Sequence, residues 1–144
     1  MSLKEFLEAK GYHRIKMKTT QTNHLEVGAK INGIEGMFLV DTGASSSCIG
    51  FDAIEHFKLN AEESEIRAAG AGAANMLTQL SQKNKIEIQK WKKSKIDFVL
   101  FDLRHVNEAL VTHKAKKVHG IIGADVLQKG KAVIDYKKGN LFLK

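Results

Sequence analysis

Met37-Phe-Leu-Val-Asp-Thr-Gly-Ala-Ser45 is a hydrophobic run that ends abruptly in Asp41-Thr42-Gly43. An apolar strand that delivers a carboxylate into a glycine turn puts an acid where burial and a close partner can set its ionisation. By chance, Asp-Thr-Gly turns up in on the order of a few per cent of chains of this size, so the tripeptide alone decides little. A second element accompanies it. Far downstream, Val118-His-Gly-Ile-Ile-Gly-Ala-Asp-Val-Leu127 sets two apolar residues and a glycine ahead of a helix-like segment, and a strand-like stretch closes the chain.

The flanking sequence places the acid on a hairpin. Leu25, Val27, Ala29 and Ile31 alternate with Glu26, Gly28 and Lys30, and Asn32-Gly33 follows, a two-residue turn whose positions both favour positive φ. Ile34–Val40 is then the return strand that leads into Asp41. Further on, the pattern predicts a short strand over 45–49, a short helix over 51–57, and strands over 86–89 and 95–101. A short helix over 123–128 and a closing hairpin, 132–136 with 141–143, follow. At the N-terminus, Ser2 and Glu5 form a capping-box pattern, and Gly11 stops the short helix they begin. Many short strands with a few short helices predict a mainly-β, barrel-like single domain.

The composition agrees. A chain of 144 residues, 43% hydrophobic and 27% charged, suits one globular domain. Cys48 is the only cysteine, which excludes an intrachain disulfide. No apolar run approaches a membrane span, and the N-terminal residues lack a signal-sequence pattern, so the expected location is cytoplasmic. The net charge of +7 gathers at Lys83, Lys85, Lys90, Lys92, Lys93 and Lys95. Such a patch can bind nucleic acid, or it can be a solvated hairpin kept soluble by lysine. Without an arginine cluster or an aromatic stacking platform, the second reading is preferred and no nucleic-acid or membrane partner is expected.

The two glycine elements, in this order, resemble those of the retropepsin-like aspartic proteases (retroviral type, clan AA), in particular single-domain members of the bacterial type. The resemblance spans residues 24–144 and implies a single-domain acid-protease barrel; residues 1–23, a short helix and strand, form an extension. It implies that the second element crosses behind the catalytic turn. One Asp-Thr-Gly per chain then means a site shared by two chains of a homodimer, acting on a peptide or protein substrate. Asp41 would be the catalytic acid, Thr42 would reach across to the partner turn, and Gly43 would turn its amide toward the carboxylates. Ala44 and Ser45 would line the substrate, with Ala69, Gly70, Ala71 and Gly72 in a flap that closes over it; a plain glycine-containing turn is the alternative for that segment. Retroviral members carry an acid and an arginine where Ser45 and Ala124 stand, so the support they give must come from elsewhere.

The implied function is aspartic endopeptidase activity without a cofactor; a non-catalytic peptide-binding or dimerisation module is the alternative. Asp125 is an acid too, but at a helix start it reads as an N-cap rather than a second catalytic group. The six histidines show no ligand spacing, so no metal is expected. Cys48, with no adjacent base, reads as a buried thiol.

Overall fold

The computed structural model describes residues 1–70 and 73–144, with side chains outside 64–77. In chain order the elements begin with α1 (Leu3–Ala9), β1 (His13–Lys16), β2 (Lys18–Thr19), β3 (Leu25–Ile31), β4 (Ile34–Val40) and β5 (Cys48–Gly50). There follow β6 (Glu62–Gly70), β7 (Ala73–Ile88), β8 (Trp91–Phe101), α2 (Arg104–Thr112) and β9 (Gly120–Ile122). Last come α3 (Ala124–Lys129), β10 (Val133–Asp135) and β11 (Asn140–Leu143).

The Asn32-Gly33 turn forms as its residues demand, with φ of 52° and 85°. Asn32 does more than turn the chain. Its backbone N–H donates to the Lys85 carbonyl at 2.9 Å, and its side-chain oxygen accepts from the Lys85 N–H at 3.0 Å. Its amide also donates to Asn84 at 2.9 Å. These bonds lock the hairpin tip onto β7, where Ile31 pairs with Ile86. That pairing closes the ring β3-β4-β9-β5-β8-β7, a barrel as expected for a mainly-β chain with a few short helices. β6 continues the sheet beyond β7, and the two pair as far as Gly70 opposite Ala73.

Phe38, Ile49, Ile86, Ile96, Phe98, Leu100 and Ile122 fill the barrel, and none is more than 1% exposed. A second cluster, with Leu39, Cys48, Val99, Phe101 and Ile121, lies on the opposite face of the same strands. Leu103 and Leu110 cover it from α2. Burial on both faces is why Phe38-Leu-Val40 and Phe98-Val-Leu-Phe101 read as continuous apolar runs instead of alternating. Each such large side chain contributes about 2 kcal/mol.

The segment expected as a helix over 51–57 is a single 3₁₀ turn at Phe51–Ala53 followed by turns. Phe57 drops from it into the barrel and stacks on Phe38, ring centres 6.0 Å apart. α2 was not foreseen in the sequence. Leu103, Asn107 and Leu110 make up its buried stripe, and the polar Asn107 hides the apolar period. Asn107 binds both backbone groups of Val118, accepting at 2.8 Å and donating at 3.2 Å, so α2 is fastened to the entry of β9.

β1 belongs to a second, three-stranded sheet in the order β1-β11-β10. Ile15 of β1 is wholly buried, and Leu7 anchors α1 beside it. The lysines expected on a solvated hairpin lie along β7, β8 and the turn between them and are exposed. No helix among the described residues is long and apolar enough to cross a membrane.

Two glycines set how closely β9 packs. A Cβ at Gly120 would lie 2.2 Å from the Cys48 carbonyl oxygen and 2.8 Å from the Phe38 ring. Gly120→Ala is therefore expected to cost about 3 kcal/mol by overpacking, measured as a fall in the urea midpoint at unchanged slope. An alanine variant as stable as the wild type would contradict this packing.

Candidate active site

β9 lies between β4, to which it is parallel, and β5, to which it is antiparallel. Chain 41–47, which joins β4 to β5, must therefore pass over the end of β9. The passage is held at both ends. The Asp41 N–H donates to the Ile122 carbonyl at 2.9 Å, extending the ladder, and the Ala124 N–H donates to the Ala44 carbonyl at 2.7 Å. Gly123 lies directly beneath the loop. A Cβ there would meet the Ala44 oxygen at 2.5 Å and the Ser46 backbone at 3.1 Å.

The loop presents Asp41, Thr42 and Gly43 to solvent. Asp41 Oδ1 accepts the Gly43 N–H at 2.9 Å. Gly43 is not at positive φ. A Cβ there would sit 3.3 Å from Asp41 Oδ1, so the glycine serves the close approach of amide to carboxylate. Thr42 borders two clefts. One, of about 400 Å³, is shared with Ala124, Leu127 and Ile134; the other, of about 300 Å³, with Asp41, Val106, Ile121 and Tyr136. Within the loop Ala44 is half-buried and Ser45 is exposed. Of the residues expected to form a flap, Ala71 and Gly72 lie outside the described residues, and Ala69 and Gly70 are described in backbone only, at the end of β6.

A larger cleft, of about 570 Å³, opens over Gly28, Gly36, Met37, Glu87 and His119. None of Asp41, Thr42 or Gly43 borders it. The turn has an accessible carboxylate oriented by a backbone amide, whereas the larger cleft is lined by a mixed set of acids and bases, Glu35, Glu87, Lys16, Lys30 and His119.

Asp125 is not the N-cap of α3; Gly123 occupies that position. Asp125 sits in the first turn and points back at the loop. Its Oδ1 accepts from the Ser47 N–H at 2.9 Å, the Ser47 hydroxyl at 2.6 Å and the Val126 N–H at 2.8 Å. The fully buried Ser47 hydroxyl in turn accepts the Gly123 N–H at 2.8 Å. The carboxylate that reads locally as a helix cap thus clamps the far end of the 41–47 loop. The sequence held one signal: a serine directly ahead of the apolar start of β5 at Cys48.

Cys48 is buried, and that burial pushes its thiol up to about 12, with the Asp125 and Asp41 charges adding to the rise. It remains a protonated core thiol, as expected. His119 was also missed as a structural group. Its backbone donates to the Met37 carbonyl at 2.8 Å, while its Nδ1 accepts the Met37 N–H at 3.0 Å, so β4 and β9 are joined through a side chain. The acceptor role fixes the neutral form, with the proton on Nε2. The ring stacks on His56 at 4.7 Å between centres, and His56 Nε2 lies 2.7 Å from the Glu35 carbonyl. Burial and the neighbouring His56 lower the His119 pKa from 6.5, against a smaller opposing pull from Asp52.

Residues 27–126 match the protein family described as aspartyl protease. No curated protein matches the sequence. Among solved structures, the chain is similar to a retropepsin-like aspartic protease from Rickettsia conorii, with TM-score 0.62, 18% identity, and 92% of this chain and 90% of that one covered. It is also similar to the retroviral protease-like domain of Ddi1 from Leishmania major, with TM-score 0.59, 19% identity, and coverage of 88% and 90%. The EIAV protease complexed with the inhibitor HBY-793 aligns with TM-score 0.54, 18% identity, and coverage of 76% and 90%. At these identities the likeness is one of fold, and the fold is retropepsin-like.

Two predictions follow from these contacts. Ser47→Ala strips Asp125 of its hydroxyl donor and leaves the Gly123 N–H buried without its acceptor, so unfolding should become easier by about 2–3 kcal/mol. Denaturant unfolding measures it, and a change below about 0.5 kcal/mol would remove the clamp from the account. For His119, the lowered folded pKa means that the unfolded chain takes up the proton first as pH falls. Its stabilising effect is complete above the ordinary value of 6.5 and is lost as pH drops through the lower folded value. Wild-type stability should therefore fall between pH 7.5 and pH 5 more steeply than that of His119→Asn, whose side-chain oxygen can accept from Met37 at either pH. Parallel pH profiles for the two proteins would contradict it.

Proposed function

Because the chain belongs to the aspartyl protease family, we propose that it is an aspartic endopeptidase whose active site is completed by a second copy of itself. The observation that carries this reading is the exposed Asp41, held where β4 enters a loop fixed at both ends and oriented by the Gly43 amide. Each chain carries one Asp-Thr-Gly. Two Asp41 carboxyls brought to about 3 Å across a two-fold axis cannot both ionise, so one holds the proton and the other does not. The pair titrates as a unit, with apparent pKa values that belong to the dimer.

The chemistry follows from that division. The ionised carboxylate takes a proton from water as its oxygen attacks the peptide carbonyl, and the protonated carboxyl donates to the oxyanion that forms. Proton transfer to the nitrogen then releases the amine and leaves a new carboxyl. Thr42, exposed beside Asp41, bridges the two turns in this reading. Ala44 and Ser45 line the substrate, with Ala69, Gly70, Ala71 and Gly72 as the closing flap. Small side chains at these positions leave recognition to the backbone and to the substrate's own side chains. Residues 24–144 constitute the protease domain in this reading, and residues 1–23 are an extension that buttresses it through the pairing of β1 with β11.

Asp41→Asn tests the reading. The side chain is exposed, so stability should change by less than about 0.5 kcal/mol. Cleavage of a peptide library should fall by at least about a thousandfold, while peptide binding is retained. Wild-type turnover in the purified variant would refute the assignment. Absence of cleavage in both proteins, with peptide binding kept, would identify a non-catalytic module.

A further inference from the structure

The cleft of about 570 Å³ lies on the outer face of the barrel, and its floor is the place of a missing side chain. Leu25, Val27, Ala29 and Ile31 of β3 are buried toward the barrel, so Gly28 faces out. A Cβ there would meet nothing nearer than Met37 Sδ at 3.8 Å and the Gly36 carbonyl oxygen at 3.9 Å. The volume is that of a small-molecule site.

Charge is spread unevenly around this floor. At one end Glu35 of β4, Lys30 of β3 and Glu87 of β7 stand in one row across the sheet, because Lys30 pairs in register with both acids. Among the described residues no ion pair joins Lys30 to either of them. Glu87 Oε1 lies 3.4 Å from the ammonium of Lys85, which does not border the cleft, and this leaves Oε2 and the Glu35 carboxylate unengaged. Lys16 stands at the other end. The pairing of Lys18 with Glu26, continued along both strands, brings Lys16 level with Gly28. Its ammonium donates to the Lys138 carbonyl, a tether that holds it in place and leaves two further N–H donors. Val27 and Met37 add apolar wall between the two ends.

The cleft is therefore acidic on balance at one end and basic at the other. From the row of Lys30 to the level of Gly28 is two residues of strand, about 7 Å. A free amino acid, with both charges on one carbon, is too short for that separation. Two extended residues span about 7 Å and match it.

We propose that this cleft binds a zwitterion of dipeptide size, its ammonium against Glu35 and Glu87 and its carboxylate on Lys16. Short peptides with both ends free are what peptide hydrolysis releases, so proteolysis, by this chain or another, is the class of reaction that supplies the ligand. The occupant would rest on β4, the strand that ends at Asp41, and beside His119, which ties β9 to Met37. The site stands apart from the peptidase reading, since no residue of the Asp41 turn borders it.

Full-length wild type and Asp41→Asn are each titrated with alanyl-leucine and followed by amide-resolved NMR. Saturable shifts at Gly28, Gly36 and Met37 are expected, with one affinity for both proteins. N-acetyl-alanyl-leucine amide, which lacks both charges, should bind at least about tenfold more weakly, and so should free leucine. Gly28→Ile fills the floor at a strand position that suits a branched residue, and should abolish the shifts while keeping the urea midpoint at or above that of wild type. Lys16→Gln should weaken binding at least about fivefold. Equal binding of the free and blocked dipeptides, equal binding by Gly28→Ile and wild type, or the absence of any saturable shift overturns the proposal. Shifts centred on Asp41 and Thr42 would mean a peptide held beside the turn, and would overturn it as well. A chain that cleaves nothing yet binds the dipeptide at Gly28 refutes the proposed enzyme and keeps this site.

Discussion

The close approach of β9 to its two neighbours is the constraint on which the rest of the structure depends. With Gly120 against the Cys48 carbonyl and Gly123 beneath Ala44, β9 can lie between β4 and β5 while chain 41–47 crosses its end. A side chain at either glycine would push strand or loop outward by an ångström or more. The ladder from Asp41 to Ile122 would then open, and the carboxylate would lose its fixed place. Backbone packing at two points therefore translates into the position of a single acid.

Polar groups hold what packing permits. Ser47 and Asp125 secure the far end of the crossing loop, Asn107 fastens α2 to the start of β9, and His119 ties β9 to β4 through Met37. Each is satisfied by partners distant in sequence. That arrangement keeps buried donors and acceptors paired and fixes the register of strands whose apolar residues alone would tolerate sliding.

Much of this was legible in the sequence because it depends on local rules. Asn32-Gly33 specifies its turn wherever it occurs between strands, and unbroken apolar runs announce strands covered on both faces. Asp41-Thr42-Gly43 and Ile121-Ile-Gly123 are two local patterns that the fold brings side by side. The remainder depends on contacts between distant residues. α2 was hidden by Asn107, whose polarity makes sense only once Val118 is seen beside it. Asp125 obeys the same preference for an acid in a first helical turn whether it caps or clamps, and Ser47 decides between them. The length of β7 was obscured by the irregularity between Ser81 and Ile86, which breaks the alternation that a strand of that length should show. β11 reads as half of a hairpin, with nothing local to indicate that β1 occupies its other edge.

The central claim is that one site needs one Asp41 from each of two chains. Mixing wild type with Asp41→Asn at fixed total concentration tests it most directly, since random pairing leaves intact sites only where two wild-type chains meet. The account predicts that activity per total protein falls as the square of the wild-type fraction, to about a quarter at equal mixing when the chains exchange freely. A linear fall, to one half at equal mixing, would mean that each chain works alone and would contradict the account.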